Sequence, residues 1–300
     1  MKTMRVYLTL SLLVAMLLLG AGCRTLGRPN TNGALRLGAT GGSSEITILL
    51  PGNVPLELVR IPAGASNMGS TYPEQCWCSN ELPEHRVEIE YGFYMGKYEV
   101  TQSQWVALMG DNPSHFLGAN RPVENVSWRE AQLFINALNG HIAATGQGPA
   151  TMRLPSEAEW EYACRARTGT RFYFGDSLGA GDTFEDYATG DMPGKRSDYM
   201  WYLGNISDGT KPVGGKLPNA FGLYDMHGNV WEWCEDVWHG NYSGAPTDGS
   251  VWVHPPGLSD YVCRGGGWIN YAWDCRSARR TCHNSGHQDF VTGFRLAATR

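Results

Sequence analysis

The most restrictive feature of the chain is a long stretch without pattern. From Thr168 to Leu223 there is no apolar periodicity of helix or strand. Inside a domain, such a stretch counts against a packed fold unless something pins it, and bound metal ions are one such pin. The 38 glycines favour loops and tight turns over long helices. A hydrophobic content of 42% with 11 tryptophans still supplies a sizeable core. The net charge is -5 with no basic stripe, which argues against a nucleic-acid partner.

The N-terminus reads as a targeting segment. Lys2 and Arg5 precede an apolar run from Leu8 to Leu19, too short to span a bilayer comfortably and suited to a signal peptide over residues 1–22. Gly20-Ala21-Gly22-Cys23 resembles a bacterial lipobox, with Gly20 where Leu is usual, and implies lipidation of Cys23. Ordinary signal cleavage before a structural cysteine is the alternative. A lipid would tether an exported domain to a membrane, on its periplasmic or cell-surface side. Residues 23–44 are polar and rich in Gly, Asn and Thr, the composition of a flexible tether. Residues 45–300 show no second linker and no internal repeat, and are expected to form one domain. Export permits disulfides. Beyond Cys23 the cysteines are Cys76, Cys78, Cys164, Cys234, Cys263, Cys275 and Cys282, an odd number that leaves at least one thiol unpaired or intermolecular.

Three short helices are legible. Thr101 caps one that stops at Gly110. Ser127 and Glu130 have capping-box spacing ahead of a second, with Trp128, Ala131, Ile135 and Leu138 on one face and Gly140 as the stop. Ser156 and Glu159 repeat the pattern ahead of a third, which buries Trp160, Ala163 and Cys164. Short strands are expected in "LELVRIPAG", "HRVEIEYGFYMGKYEV", "YVCRGGGWI" and "FRLAAT".

These pieces, in order from Leu56 to Arg300, resemble the formylglycine-generating enzyme family, also called sulfatase-modifying factors. The resemblance rests on "RIPAG", "FYMGKYEVTQSQW", "NPSHF", "RPVENVSWREA", "RLPSEAEWEYACRA", "NAFGLYDMHGNVWEW", "RGGGW", "CRSARR" and "GFRL". It implies an α+β, C-type-lectin-like fold, loop-rich with few short helices and two structural calcium ions. One family calcium site maps onto Asp225, Gly228, Val230 and Glu232, hard oxygen donors of the kind calcium takes. Local turn capping by the two carboxylates is the alternative. The second begins at Asn205 and Ile206, with Asp208 a substitute for ligands of a longer family loop.

Family enzymes oxidise a sulfatase cysteine to formylglycine with oxygen and a copper ion on two cysteines spaced C-x4-C. Soft thiolates select Cu(I), so both sulfurs are needed. Counted without gaps, those positions fall on Asn270 and Cys275, and Asn is a poor Cu(I) ligand. Aligned on "DCRSARR" instead, Cys275 matches the family cysteine that pairs with the cysteine of "EWEYSC", here Cys164, and the copper loop is shortened away. Under either alignment the copper pair is missing. The resemblance therefore implies a Cys164–Cys275 disulfide worth about 2–4 kcal/mol. Cys234 and Cys263 form a second pair or remain buried thiols, and one of Cys76 and Cys78 pairs with another surface cysteine such as Cys282.

Other clusters carry weaker signals. His283, His287 and Asp289 have the donor set of a non-haem iron site, on a loop whose geometry nothing in the sequence fixes. Arg264, Arg276, Arg279, Arg280 and Arg295 either bind an anion or neutralise buried carboxylates such as Glu157 and Glu161, and the second use is the commoner. Trp231, Trp268 and Asn270, with Trp273 nearby, are candidates for a cleft that takes a peptide or glycan. The expected function is an exported lipoprotein that keeps the family scaffold as an accessory or binding module for a protein or peptide, without copper chemistry. The first alternative is a sulfatase-maturing oxidase using Cys275 and copper, with Cys282 as an unusual second ligand. The second is a metal enzyme built on the His283 cluster.

Overall fold

The structure, a computed structural model, describes residues 45–71, 78–149, 151–176, 196–206, 208–253 and 259–299. The expected signal peptide, the tether with Cys23, and Cys76 lie outside them. No helix among the described residues is long and apolar enough to cross a membrane. The strands are β1 (Glu45–Leu50), β2 (Val54–Ile61), β3 (Gly64–Met68), β4 (His85–Ile89), β5 (Phe93–Gly96), β6 (Thr151–Arg153), β7 (Trp231–Val237), β8 (Asp260–Arg264), β9 (Arg280–Asn284), β10 (Thr292–Gly293) and β11 (Ala297–Thr299). The helices are α1 (Gln102–Met109), α2 (Trp128–Thr145) and α3 (Glu157–Arg165).

All three helices begin where their caps predict, and Thr101 proves to head a capping box as well. Thr101, Ser127 and Ser156 accept from the backbone N–H three residues on, and Gln104, Glu130 and Glu159 reach back to the cap. Helix α1 ends at Gly110 in the left-handed conformation, as expected. Helix α2 runs through Gly140 and ends at Gly146 with φ 67°. Ile142, one turn beyond Leu138, continues the buried stripe, and that burial outweighs the helix cost of one glycine. Helix α3 is buried on every side, including Glu157, Glu159, Glu161 and Arg165.

The strands assemble into a five-stranded sheet ordered β1-β2-β5-β11-β6, a four-stranded sheet ordered β10-β7-β8-β9, and the hairpin β3-β4. The first sheet is antiparallel throughout, and the second has one parallel pairing, β10 with β7. Helices α1 and α2 pack with the first sheet in a core that includes Trp105, Phe134, Leu138, Trp233 and Phe294. Trp160 and Ala163 of α3 belong to a second core with Phe93, Met95 and Val262.

Strand β7, "WEWCEDV", alternates between these cores. Trp231 and Trp233 enter the first, and Cys234 enters the second. Register places Glu232 opposite Arg264, and Arg264 opposite Arg280, in one row across β7, β8 and β9. Between Thr168 and Leu223 the described residues hold one short 3-10 turn, Arg196–Asp198, and otherwise irregular chain.

Candidate functional site

The segment from Asp225 to Glu232 is a tight, strained turn leading into β7. Gly228 has φ 89°, and a Cβ there would lie 1.9 Å from the Trp201 carbonyl oxygen, so only glycine fits. Asp225 and Asn229 also hold positive φ, at 56° and 63°. The turn buries the Asp225 carboxylate. Its Oδ2 accepts from the Gly214 N–H at 2.6 Å, and its Oδ1 is buried with no hydrogen-bond partner among the described residues. Burial pushes Asp225 up to about 6, with the Glu232 charge adding to the shift and the Gly214 N–H and Arg295 opposing it.

Glu99 completes the acidic pocket. It accepts from Asn229 Nδ2 at 2.7 Å and from the Val230 N–H at 3.3 Å. Burial first, then the charges of Asp225 and Glu232, hold it well above the usual carboxylate range. Glu99 lies inside the "FYMGKYEVTQSQW" motif, but the sequence reading gave it no site role. Glu232 has both oxygens engaged: Arg295 grips them through Nε and Nη2 at 2.6 Å each, and Trp160 Nε1 donates to one at 2.6 Å. Of the second expected calcium set, Ile206 is buried, while the Asn205 side chain bonds the Tyr202 N–H at 3.0 Å and the Met200 carbonyl at 2.9 Å. Asp208 is exposed and ion-paired with Lys211, which lowers its pKa.

The thiols differ from expectation. Cys164 and Cys275 are both free and fully buried. The Cys164 sulfur faces the His227 ring at 3.9 Å and Ser277 Oγ at 3.7 Å, whereas the Cys275 sulfur faces the Tyr271 carbonyl at 3.6 Å. His227 bridges the two segments instead. Its Nδ1–H donates to the Cys275 carbonyl at 2.7 Å, and its Nε2 accepts from the Tyr173 N–H at 3.1 Å. Burial holds this imidazole down to about 3, so it is neutral. Burial pushes the Cys164 thiol up to about 12 and Cys275 well above the ordinary value. Cys234 and Cys263 are also free. Cys263 pairs in register with Trp233, so Cys234, one residue on, points to the opposite face, and their sulfurs enter different cores. Cys78 accepts a hydrogen bond from the Arg279 guanidinium, and Cys282 lies half-buried on β9 opposite Val262; neither is bonded to another cysteine.

Of the expected cleft residues, Trp231 and Asn270 meet. Asn270 Oδ1 accepts from Trp231 Nε1 at 2.9 Å and from the Gly267 N–H at 2.9 Å. Trp268 stands edge-on to Phe116 at 5.4 Å and beside Phe290 at 6.2 Å, and Phe290 also neighbours His115. Phe290, Leu117 and Ile269 are exposed, which gives this corner an apolar surface. Trp273 stacks on Tyr271 at 4.4 Å, apart from these contacts. Phe116 closes the "NPSHF" motif but had no site role in the sequence reading, and Leu117 and Phe290 had no sequence signal beyond being aromatic or apolar in loops.

The arginines are neutralisers. Arg280 and Arg264 share Glu157 at 2.7 and 3.7 Å, Arg264 also bonds Glu161, and Arg276 grips Glu81 bidentately at 2.7 and 2.9 Å. Arg279 pairs with Asp274 at 3.1 Å. The donor atoms of His283, His287 and Asp289 lie within 4.8 Å of one another. That loop is fixed after all, because Asn125 N donates to the Asp289 carbonyl at 2.7 Å and Ser285 N to the Ser259 carbonyl at 2.7 Å.

A mixed fold of short helices and small twisted sheets, with long irregular segments held by buried polar pairs, defines the C-type-lectin-like class of the formylglycine-generating enzymes. Residues 51–300 match the sulfatase-modifying factor enzyme 1-like domain, and the chain belongs to that family. It is 34% identical to the chaperone protein LppX of Paenibacillus barcinonensis, over 59% of this chain and 70% of that one. It is 28% identical to the formylglycine-generating enzyme of Bos taurus, over 92% of this chain and 85% of that one. Among solved structures it resembles PvdO from Pseudomonas aeruginosa, with TM-score 0.68 and 29% identity over 80% of this chain and 93% of that one. It also resembles Treponema denticola variable protein 1, with TM-score 0.69 and 30% identity over 86% of this chain and all (100%) of that one.

The Glu232–Arg295 pair has a measurable weight. Glu232→Gln keeps an acceptor for Trp160 but leaves Arg295 buried without its counter-charge. Urea unfolding is expected to show a loss of about 3–5 kcal/mol, the usual cost of breaking a buried pair from one side.

Proposed function

We propose that this chain is an accessory or binding module on the family scaffold, exported and anchored through Cys23, and that it lacks the family's copper oxidase chemistry. The observation that supports this is the state of Cys275. A Cu(I) site needs two thiolates. Cys275 is buried, its pKa is raised well above the ordinary thiol, and its sulfur packs so close to the Gly266 backbone that a Cβ on Gly266 would sit 2.6 Å from it. Asn270, at the other copper position, spends its side-chain oxygen on Trp231 and Gly267. Cys282, the substitute ligand weighed for an oxidase, lies half-buried on β9. The apolar corner of Phe116, Trp268 and Phe290 suits an extended, exposed peptide, and the relative named a chaperone is in keeping with that partner.

The decisive experiment gives the purified chain Cu(I), oxygen and an unfolded peptide carrying the sulfatase motif Cys-x-Pro-x-Arg. Mass spectrometry is expected to show no aldehyde. Aldehyde formed by the wild type and lost in Cys275→Ser would establish the oxidase alternative.

The same reading keeps one calcium ion as a structural pin. The unpartnered Asp225 Oδ1 and the raised Glu99 carboxylate leave a buried acidic pocket short of positive charge. Asp225, with the Gly228 and Val230 carbonyls and Glu232, would hold a cation there, with Glu99 beside them. Bound calcium supplies charge and cross-links the irregular loops. Glu232 is already committed to Arg295, so Asp225 is the residue to test. Chelation is expected to lower the Tm of wild type and to leave the Tm of Asp225→Asn unchanged. The Asn205–Ile206 site has less behind it, since the Asn205 oxygen is taken up locally.

A further inference from the structure

The turn after β9 carries a cluster that none of this uses. We propose that His283, His287 and Asp289 form a binding site for one divalent first-row transition-metal ion.

The argument begins with placement. His283 lies in β9 opposite Tyr261, and its ring meets the edge of Trp233 at 6.1 Å. The chain then reverses: His287 N donates to the Asn284 carbonyl at 2.8 Å, and Gly286 N to Asn284 Oδ1 at 3.1 Å. This turn lays the His287 ring over His283, with centroids 4.2 Å apart and planes within 12°. Asp289 folds back so that its Oδ1 accepts from Val291 N at 3.0 Å, which leaves Oδ2 at 3.0 Å from His287 Nε2. The loop is held from outside as well. Asn125 N bonds the Asp289 carbonyl at 2.7 Å and Arg129 N the Ser285 carbonyl at 3.2 Å, and both residues flank the start of α2. The three side chains are therefore pre-arranged by backbone that does not depend on them.

The donor chemistry selects the ligand. Two imidazoles and one carboxylate suit zinc, iron, nickel and copper, whereas calcium takes six to eight oxygens. Two neighbouring donors of an octahedral ion with bonds of about 2.1 Å stand about 3.0 Å apart. The His287–Asp289 pair already has that spacing, at 3.0 Å. The widest donor pair is at most 4.8 Å and closes by sliding one stacked ring over the other. All three residues are half-buried, so the ion would keep positions open to solvent or to a ligand. Phe290, next in the chain, belongs to the apolar corner with Trp268. Metal and peptide sites would thus share one loop, though neither needs the other.

The test is a titration of the purified, chelator-treated chain with cobalt(II), read by its visible d–d absorption, in excess calcium. One equivalent is expected to bind, to be displaced by zinc, and to show no sulfur charge-transfer band. Affinity should fall by about a hundredfold or more in both His287→Ala and Asp289→Asn, more than is usual for a residue that merely supports a ligand. Both variants should keep the wild-type circular dichroism and metal-free Tm, because the loop is held by its backbone. Absence of saturable cobalt absorption, thiolate bands, or unchanged affinity in Asp289→Asn would overturn the proposal.

Discussion

The fold depends on one arrangement of buried charge, the carboxylates of α3 against a row of guanidinium groups on the β7-β8-β9 sheet. Arg264 and Arg280 face each other across two strands, a destabilising pairing on its own. Glu157 lies between them, bonded to Arg280 and 3.7 Å from Arg264 Nε. Glu161 takes Arg264 and, one turn on, Arg165 at 2.7 Å, while its Oε1 also accepts the Gly69 N–H at 3.0 Å. The row continues into Glu232, which closes on Arg295 and Trp160. None of these groups retains appreciable contact with water. Each would be costly alone, and together they neutralise one another and orient α3 on the sheet.

This lattice explains how a chain with so little regular structure stays packed. Helix α3 brings the middle of the sequence onto the C-terminal strands. Arg276 ties the turn at Glu81 to the same region, and His227 joins the Tyr173 loop to the Cys275 segment. The described parts of the long irregular stretch are pinned by side chains reaching backbone groups, among them Tyr173 with the Leu217 carbonyl and Asp225 with the Gly214 N–H. A second consequence is chemical. Burial raises the Cys275 thiol well above the ordinary value, and the Asn270 side chain is held by Trp231.

Helix caps were legible because they are local: Thr101, Ser127 and Ser156 each declare a helix start within four residues. The class of fold was legible from motif order. The end of α2 was not, because Gly140 is a strong local stop signal that the burial of Ile142 overrides. Strand β7 was not among the expected strands: "WEWCEDV" carries three acidic residues in seven, yet its acidic face is as buried as its aromatic face. Pairings are set by register and by long-range packing, so Cys234 and Cys263 looked like neighbours, and Cys164 and Cys275 like partners, with His227 unseen between them. Glu99 shows the same limit: a glutamate in a short apolar segment is identified as part of an acidic pocket only when Asp225 and Glu232 arrive from more than a hundred residues away.

The central claim is that buried ion pairs, with no disulfide, hold α3 to the C-terminal sheet. It is tested most directly by denaturing the protein without reductant, after export to an oxidising compartment, and alkylating it for peptide mass spectrometry. The account predicts alkyl groups on Cys164, Cys234, Cys263 and Cys275. Recovery of a Cys164–Cys275 linked peptide would contradict it and return the fastening of α3 to a covalent bond.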